Sequence, residues 1–456
     1  MTVRLDPWKH SLAIFAFGIG LVGLAAGPAA AKTKATLEEL QNQIDAANAA
    51  IAQLQQQNAV QNEAIAQLQQ QNSALACMTK TGNDVYFTGC NVHIRNGLGS
   101  TETTNGLGNL IVGYNADVGG DARGGSHNVI VGDGHSYTSY AGLVAGRDNA
   151  VTGPGASVSG GDSNTASGVG ASVSGGHQNQ ALDTWASVSG GENNVAQLAV
   201  ASVSGGSENR ATGFGAAVCG GQQNVASGFR AAVNGGARNV ASSTFASVSG
   251  GLENLAGPGA LPSPGIVNPF DAPSVSGGRF NHADGIAASI SGGEENRASG
   301  DDSSVSGGGF NVASGVTSSV SGGAGNKASS QYSSVSGGEA NMASGSNSSV
   351  SGGVQNVASR DASSVSGGVQ NLASGFVSSV SGGAVNEASG VGSSVSGGSR
   401  NVAGGTESTV TGGRQNNAAE ANSSISGGAD LGFVNPDGWK AGSVGAAAGP
   451  NQFFSQ

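Results

Sequence analysis

An apolar residue returns every 15 positions through more than half of the chain, and no other feature restricts the fold as tightly. Val158, Val173, Val188, Val203, Val218, Val233 and Val248 keep this step. After one interruption Val275, Ile290, Val305, Val320, Val335, Val350, Val365, Val380, Val395, Val410 and Ile425 resume it. Six residues beyond each stands an Asn, among them Asn164, Asn179 and Asn311, as far as Asn416. Eight beyond stands an Ala, from Ala166 through Ala313 to Ala418. The unit reads Ser-Val-Ser-Gly-Gly-x-x-Asn-x-Ala-Ser-Gly, then a variable pair and a small residue. A fixed period of this length is the signature of stacked structural repeats.

The chemistry of the unit selects strands over helices. Ser-Val-Ser alternates small polar and β-branched residues, as a half-buried strand does. Gly-Gly and the later Gly mark two corners where a positive φ or a close backbone approach is required. Equal coils then place like residues above like, about 4.8 Å apart. The recurrent Asn is placed to form a side-chain ladder that satisfies backbone groups of the coils above and below. Eighteen such coils reach about 85 Å. The one interruption, from Val248 to Val275, carries extra residues in the Pro-rich stretch about 257–271, an insertion that leaves the stack continuous on both sides.

The interior offered by each coil is thin. One Val and one Ala contribute about 2–3 kcal/mol of burial, against a larger entropic cost of fixing the coil. Ladder hydrogen bonds and close-packed small residues must supply much of the rest, and this shortage leads to an expectation of association between chains. With 81 Gly, 10% charged and 5% aromatic residues, an ordinary globular core is excluded. A net charge of −11 leaves no basic stripe for nucleic acid.

The stretch Ser304-Val-Ser-Gly-Gly-Gly-Phe-Asn-Val-Ala-Ser-Gly315 resembles the YadA-like head repeat of trimeric autotransporter adhesins, over about residues 143–428. The resemblance implies a left-handed parallel β-roll, trimeric and displayed at a surface, joined to a coiled coil. The period here is one residue longer than that family's coil, and Gly stands where the family carries a second apolar strand residue. The order of parts is also reversed, and no terminal run of strands matches a membrane-anchor barrel.

Ahead of the repeats, residues 1–31 read as a cleavable export signal: Arg4 and Lys9, an apolar run from Ser11 to Ala26, then Ala29-Ala30-Ala31. An uncleaved membrane anchor is the other reading of the same run; after cleavage no transmembrane anchor remains. Residues 32–78 predict a coiled-coil stalk. One seam row runs Leu37, Ile44, Ile51, Asn58, Ile65, Asn72, and the other Leu40, Ala47, Leu54, Gln61, Leu68, Leu75. Two apolar positions in seven form a seam too narrow for a globular helix. Ile and Leu in those rows favour two strands, whereas the head favours three, so a homotrimer is expected with a dimer open.

Residues 79–108 form a connector in which Val85–Ile94 predicts a short hairpin around Thr88-Gly89. Cys77 and Cys90 can bridge within the chain, remain separate thiols, or leave Cys77 to pair between chains. Residues 109–157 read as irregular cap coils, with Leu143 and Asn149 one period before Val158 and Asn164. The regular head spans 158–428. In the tail, 429–456, Trp439, Phe453 and Phe454 are placed to cover the last open edge.

No catalytic, cofactor or metal motif emerges. The six His residues lack ligand spacing, Asp133 and His135 read as a solvated loop rather than a metal pair, and the many Ser residues have no accompanying base. The exposed aromatics Trp185, Phe214, Phe229, Phe245, Phe280 and Phe310 read either as a binding stripe or as isolated rings packed over neighbouring coils. The expectation is an exported, non-enzymatic, adhesin-like surface protein. The alternatives are a monomeric solenoid that binds an ordered surface such as ice or polysaccharide, and a spacer without ligand.

Overall fold

The computed structural model describes residues 28–117, 119–258, 271–432 and 436–442. Most of the segment 1–31 expected to be an export signal, the core of the insertion, and Phe453 and Phe454 lie outside the described residues. The chain divides into two compact units, Met1–His93 and Ile94–Gln456.

The first unit is one helix and one hairpin. The helix, Pro28–Ala74, covers 47 residues and begins on Pro, whose fixed φ suits a first helical position. It contains no Gly, and its Ala, Gln, Glu and Leu content favours helix throughout. The hairpin pairs Met78–Thr81 with Asp84–Phe87, antiparallel, with Gly82 at φ 59° leading its two-residue turn. This corrects the expected hairpin over Val85–Ile94. Gly82-Asn83 supplies the turn because Gly takes the positive φ at its first position without steric cost. Val85, Tyr86 and Phe87 therefore form the second strand, and Val92 and Ile94 lie outside it. Cys77 and Cys90 form a disulfide across the base of this hairpin, with Cα atoms 6.0 Å apart.

The second unit is a parallel β-solenoid of 15-residue coils. Each regular coil contributes two short strands, such as Ser304–Val305 and Val312–Ala313, which pair in register with the same residues one coil away. Two parallel ladders run through the stack, and single bridges such as Glu294↔Gly309 add a third line of pairing at the corner between them. Val and Ala point inward: Val158 and Ala166 are 0% exposed, and Val305 and Ala313 are equally sealed at 1% and 0%. Val173, Val188, Val203 and Val320 repeat this in their own coils. One chain thus closes its own interior along the regular stack, so the thin core does not leave apolar surface there for a partner to cover.

The Asn row completes the interior. The Asn311 amide Nδ2 donates to the carbonyls of Gly307 and Gly323, both at 2.9 Å. Its Oδ1 accepts the backbone N–H of Asn326 at 2.9 Å, and its own N–H donates to Asn296 Oδ1 at 3.0 Å. Asn164 and Asn179 make the same bonds. Every rung is fully buried or nearly so, yet each polar atom of the amide is occupied, the condition under which burying it costs little.

Backbone conformation at the corners explains the glycines. The second Gly of each pair, as at Gly308, has φ 82°, and a Cβ there would stand 2.1 Å from the Gly323 carbonyl oxygen. The later Gly, as at Gly315, has no positive φ, but a Cβ would lie 2.0 Å from Ser330 O. Two further left-handed positions recur from coil to coil and mostly hold non-glycine residues, for example Gln178 at φ 54° and Trp185 at φ 56°, with Gly in some coils, as at Gly170 and Gly325. Each non-glycine residue there costs about 1 kcal/mol or more. That cost is offset by hydrogen bonds to the preceding coil, Gln178 N–H to Asp162 O at 3.0 Å and Trp185 N–H to Val169 O at 2.9 Å.

The first coils differ in length from the regular ones. Leu110–Val112 pairs with Val129–Val131, 19 residues on, whereas Val129 pairs with Leu143 and Leu143 with Ser157, each 14 residues on. This corrects the expected equivalence of Leu143 and Val158: Val144 takes the inner place at 0% exposure, and Leu143 faces out. The pairings Val144↔Val158 and Arg147↔Asp162 leave one added residue between positions 158 and 162 of the longer coil. Asn149 does occupy the rung before Asn164. At the other end the stack runs one coil beyond the expected 428. Trp439–Lys440 pairs with Ser424–Ile425, so Trp439 extends a ladder instead of lying over its edge, and Leu431 takes the place of the next Asn.

Candidate functional site

With the interior occupied by Val, Ala and Asn, the outward positions carry whatever the molecule does. They fall into four groups: two sheet faces and two corners.

On the first ladder the residues flanking each inner Val point outward. From Ser247/Ser249 to Ser424/Ser426 these two positions are Ser, or Thr at 409 and 411, in every coil. Ser157/Ser159 to Ser202/Ser204 show the same pair, and only Ala217/Cys219 and Ala232/Asn234 depart from it. Cys219 is an exposed thiol in this row, not part of a redox pair. Among the described residues the side-chain hydrogen bonds of the two rows are confined to Cys219–Asn234, Thr409–Ser424, Thr411 with Ile425 O, and Trp439 Nε1 donating to Ser426. The face is flat, small and uncharged.

On the second ladder the equivalent outward position changes from coil to coil. It is Thr165, Gln180, Val195, Arg210, Val225, then further on His282, Arg297, Val312, Lys327, Met342 and Glu387. The same backbone accepts apolar, basic, acidic and amide side chains at this place.

The corner beside the Asn row carries paired charges. Arg147 meets Asp162 at 2.9 Å, and His177 lies 3.3 Å from the same carboxylate. The hydrogen bond from Arg147 holds the Asp162 carboxyl below its ordinary value, and Asp162 raises Arg147 in return. Arg238 with Glu253 and Arg279 with Glu294 repeat the pairing between adjacent coils. These pairs are exposed and of modest energetic weight.

The aromatic residues do not form one stripe. Phe280 and Phe310 lie in the left-handed position after Gly-Gly, at the charged corner, while Trp185, Phe214, Phe229 and Phe245 lie at the opposite corner. Phe214 stacks on Phe229 with centroids 5.5 Å apart, and Phe245 meets Phe229 edge-on at 5.8 Å. Trp185, 65% exposed, lies over Gly170, where a Cβ would come 2.7 Å from its ring. Three rings thus pack over successive coils, and the others stand apart.

Asp133 and His135 do not converge on a common site. His135 is fully buried, its Nδ1 accepts the Asn149 N–H at 3.3 Å, and its Nε2 lies 3.0 Å from Val131 O. With Nδ1 accepting, the proton sits on Nε2 and is donated to that carbonyl. His135 is the rung before Asn149, a role that its sequence neighbourhood gave no means of reading. The Asp133 carboxylate accepts the Ala116 N–H at 2.8 Å. Among the described residues no group of three or more His, Cys, Asp or Glu side chains is placed to hold a metal.

Two apolar surfaces are open. The helix exposes the apolar seam residues Leu37, Ile44, Ile51, Leu54, Ile65 and Leu68. In the first three coils the outward row of the Ser face is instead Leu110 and Val112, Val129 and Val131, then Leu143, all exposed. No helix among the described residues is long and apolar enough to cross a membrane. No protein-family model matches the chain, and no curated protein matches it.

Proposed function

We propose that this is an exported, non-enzymatic display protein whose chains associate through the N-terminal helix and present the solenoid as a binding surface. The observation that carries this reading is the heptad seam left exposed along the helix from Leu37 to Leu68. A lone helix in water has no means of satisfying an apolar seam of that length; a second or third copy, bringing the same seam, does. The exposed outward row of the first coils, Leu110 to Leu143, adds a second apolar surface suited to contact between copies. The Cys77–Cys90 disulfide fits an oxidising compartment, and the apolar run Ser11–Ala26 supplies the route to it. The adhesin-like character rests on the resemblance of the coil to the YadA-like head repeat and on the accessible sheet faces. A homotrimer follows from that resemblance and a dimer from the seam residues.

Light scattering on the purified chain lacking residues 1–31 tests the reading. A mass of three chains, or of two, supports it, and Leu40→Lys with Leu54→Lys should reduce that mass to one chain. A single-chain mass for the unsubstituted protein overturns it.

A further inference from the structure

The two outward rows of the Ser face are uniform where the fold makes no demand for uniformity. The outward place on the second ladder shows what this backbone tolerates: Val, Arg, Lys, Met, Glu, His and Gln all stand there without disturbing the pairing. The first face itself accepts Leu and Val in its early coils and Ala, Cys and Asn in two later ones. Its Ser hydroxyls bond to nothing within the stack from Ser247 to Ser396 among the described residues, so they do not hold the coils together. Twelve successive coils nevertheless carry a hydroxyl at both places.

We propose that this face binds the surface of an uncharged, rigid, regularly hydroxylated polymer, a crystalline polysaccharide. This deepens the reading above by naming the ligand of the displayed solenoid. Three physical arguments select the class. The face carries no charged side chain in its eighteen regular coils within a chain of net charge −11, which matches a neutral ligand and disfavours ionic ones. It spans about 85 Å by about 10 Å, close to the roughly 800 Å² that one side of an ordinary specific interface covers. Within the eighteen regular coils, short of Trp439, it has no aromatic or Arg anchor on which a compact protein partner could concentrate its binding energy. Many weak hydroxyl contacts yield affinity only when one rigid ligand engages them together, and a repeating solid does so along its whole length. The hydroxyls lie about 4.8 Å apart along the stack and about 6.7 Å apart across each strand, a rectangular grid that a periodic surface can follow. Ser, lacking the methyl of Thr, offers hydrogen bonding without the apolar component suited to ordering water, so polysaccharide is favoured over ice.

The test is depletion of the purified full-length chain from solution by microcrystalline cellulose and by crystalline chitin, read as the fraction bound. Ser306→Lys, Ser321→Lys, Ser336→Lys and Ser351→Lys together place four long charges on the face. Val312→Lys, Met342→Lys, Val357→Lys and Leu372→Lys place the same charges on the other ladder, where Lys327 already stands. Circular dichroism melts report whether both variants are folded. Binding of the unsubstituted chain to either solid, lost at least ten-fold in the first variant and kept in the second, is the expected result. No binding to either solid, equal loss in two folded variants, or ice shaping without binding to polysaccharide overturns the proposal. Should the first variant melt early, single substitutions Ser306→Lys and Ser336→Lys, each with a partial loss, carry the same decision. A chain that binds but has a single-chain mass defeats self-association and leaves this inference standing.

Discussion

The first coils, 110–156, and the regular coils from 157 onward are built on the same two ladders but differ in length and in outward chemistry. What they share is an inner apolar residue, a buried rung that accepts the next rung's N–H, and a positive-φ Gly beside it, as at Gly146 and Gly308. What they do not share is the residue added between 158 and 162 and its equivalents, and the Ser rows, which Leu and Val replace in the early coils. The shared set is what the solenoid requires. The unshared set is free of that requirement, so its uniformity in the later coils answers to something outside the fold.

The largest effect that can break this division is expected at Gly308. Gly308→Ala forces a Cβ into the Gly323 carbonyl at a left-handed φ, and should cost about 3 kcal/mol or more. Its neighbour Gly307 has open space around a Cβ, and Gly307→Ala should change stability by less than about 0.5 kcal/mol. Denaturant midpoints, with hydrogen exchange of the adjoining coils, separate the two. Equal losses would mean that the first Gly is as obligatory as the second.

Asn311→Ala comes next. It removes one acceptor and two donors from buried backbone partners, Asn326 N–H and the carbonyls of Gly307 and Gly323, for a loss of about 2–4 kcal/mol. His135→Ala in the early stack orphans the Asn149 N–H and the Val131 carbonyl, and should cost somewhat less, about 1–3 kcal/mol. Thermal melts of both variants rank the rungs, and a His135→Ala protein as stable as the unsubstituted chain would remove His135 from the ladder.

The smallest effect distinguishes early from late regular coils. The small residue before each strand is Ala from Ala156 to Ala246 but Ser from Ser303 to Ser423. Some of these buried hydroxyls donate to a carbonyl three residues back, as Ser348 does to Gly345 at 2.6 Å, whereas Ser303, Ser318, Ser393 and Ser408 have no partner among the described residues. Ser318→Ala should therefore stabilise by about 1 kcal/mol, and Ser348→Ala should not. A shift of the melting midpoint in opposite directions is the readout.

Much of this was legible in the sequence because the solenoid repeats its requirements. A step of 15 between Val residues fixes which side chains share a row, and Asn at a constant offset declares a ladder. The register of the first coils was not legible, because Leu143 and Val144 are both apolar and only the one-residue difference in coil length decides which turns inward. The hairpin was missed for a similar reason. Val85 to Ile94 is rich in strand-forming residues, yet Gly82-Asn83 governs where the chain reverses. Nor did the sequence disclose that two variable residues per coil adopt left-handed conformations. Gly usually marks such places, and here hydrogen bonds to the preceding coil hold Gln178, Trp185 and their equivalents there instead. The aromatic residues were visible, but their division between two corners depends on the position of each within its own coil.

The interruption after Ala256 shows how little the stack depends on counting residues. Asn281 donates its N–H to Asn254 Oδ1 at 3.0 Å across 27 positions, with the same geometry as rungs that are 15 apart. A detour of the chain at that corner therefore leaves the buried ladder unbroken, although Ser242, Ser243 and Thr244 of the coil before it are buried. The corner after Gly257 acts as a port at which foreign sequence can be grafted, lengthened or exchanged, while the rod it leaves and rejoins keeps its pitch.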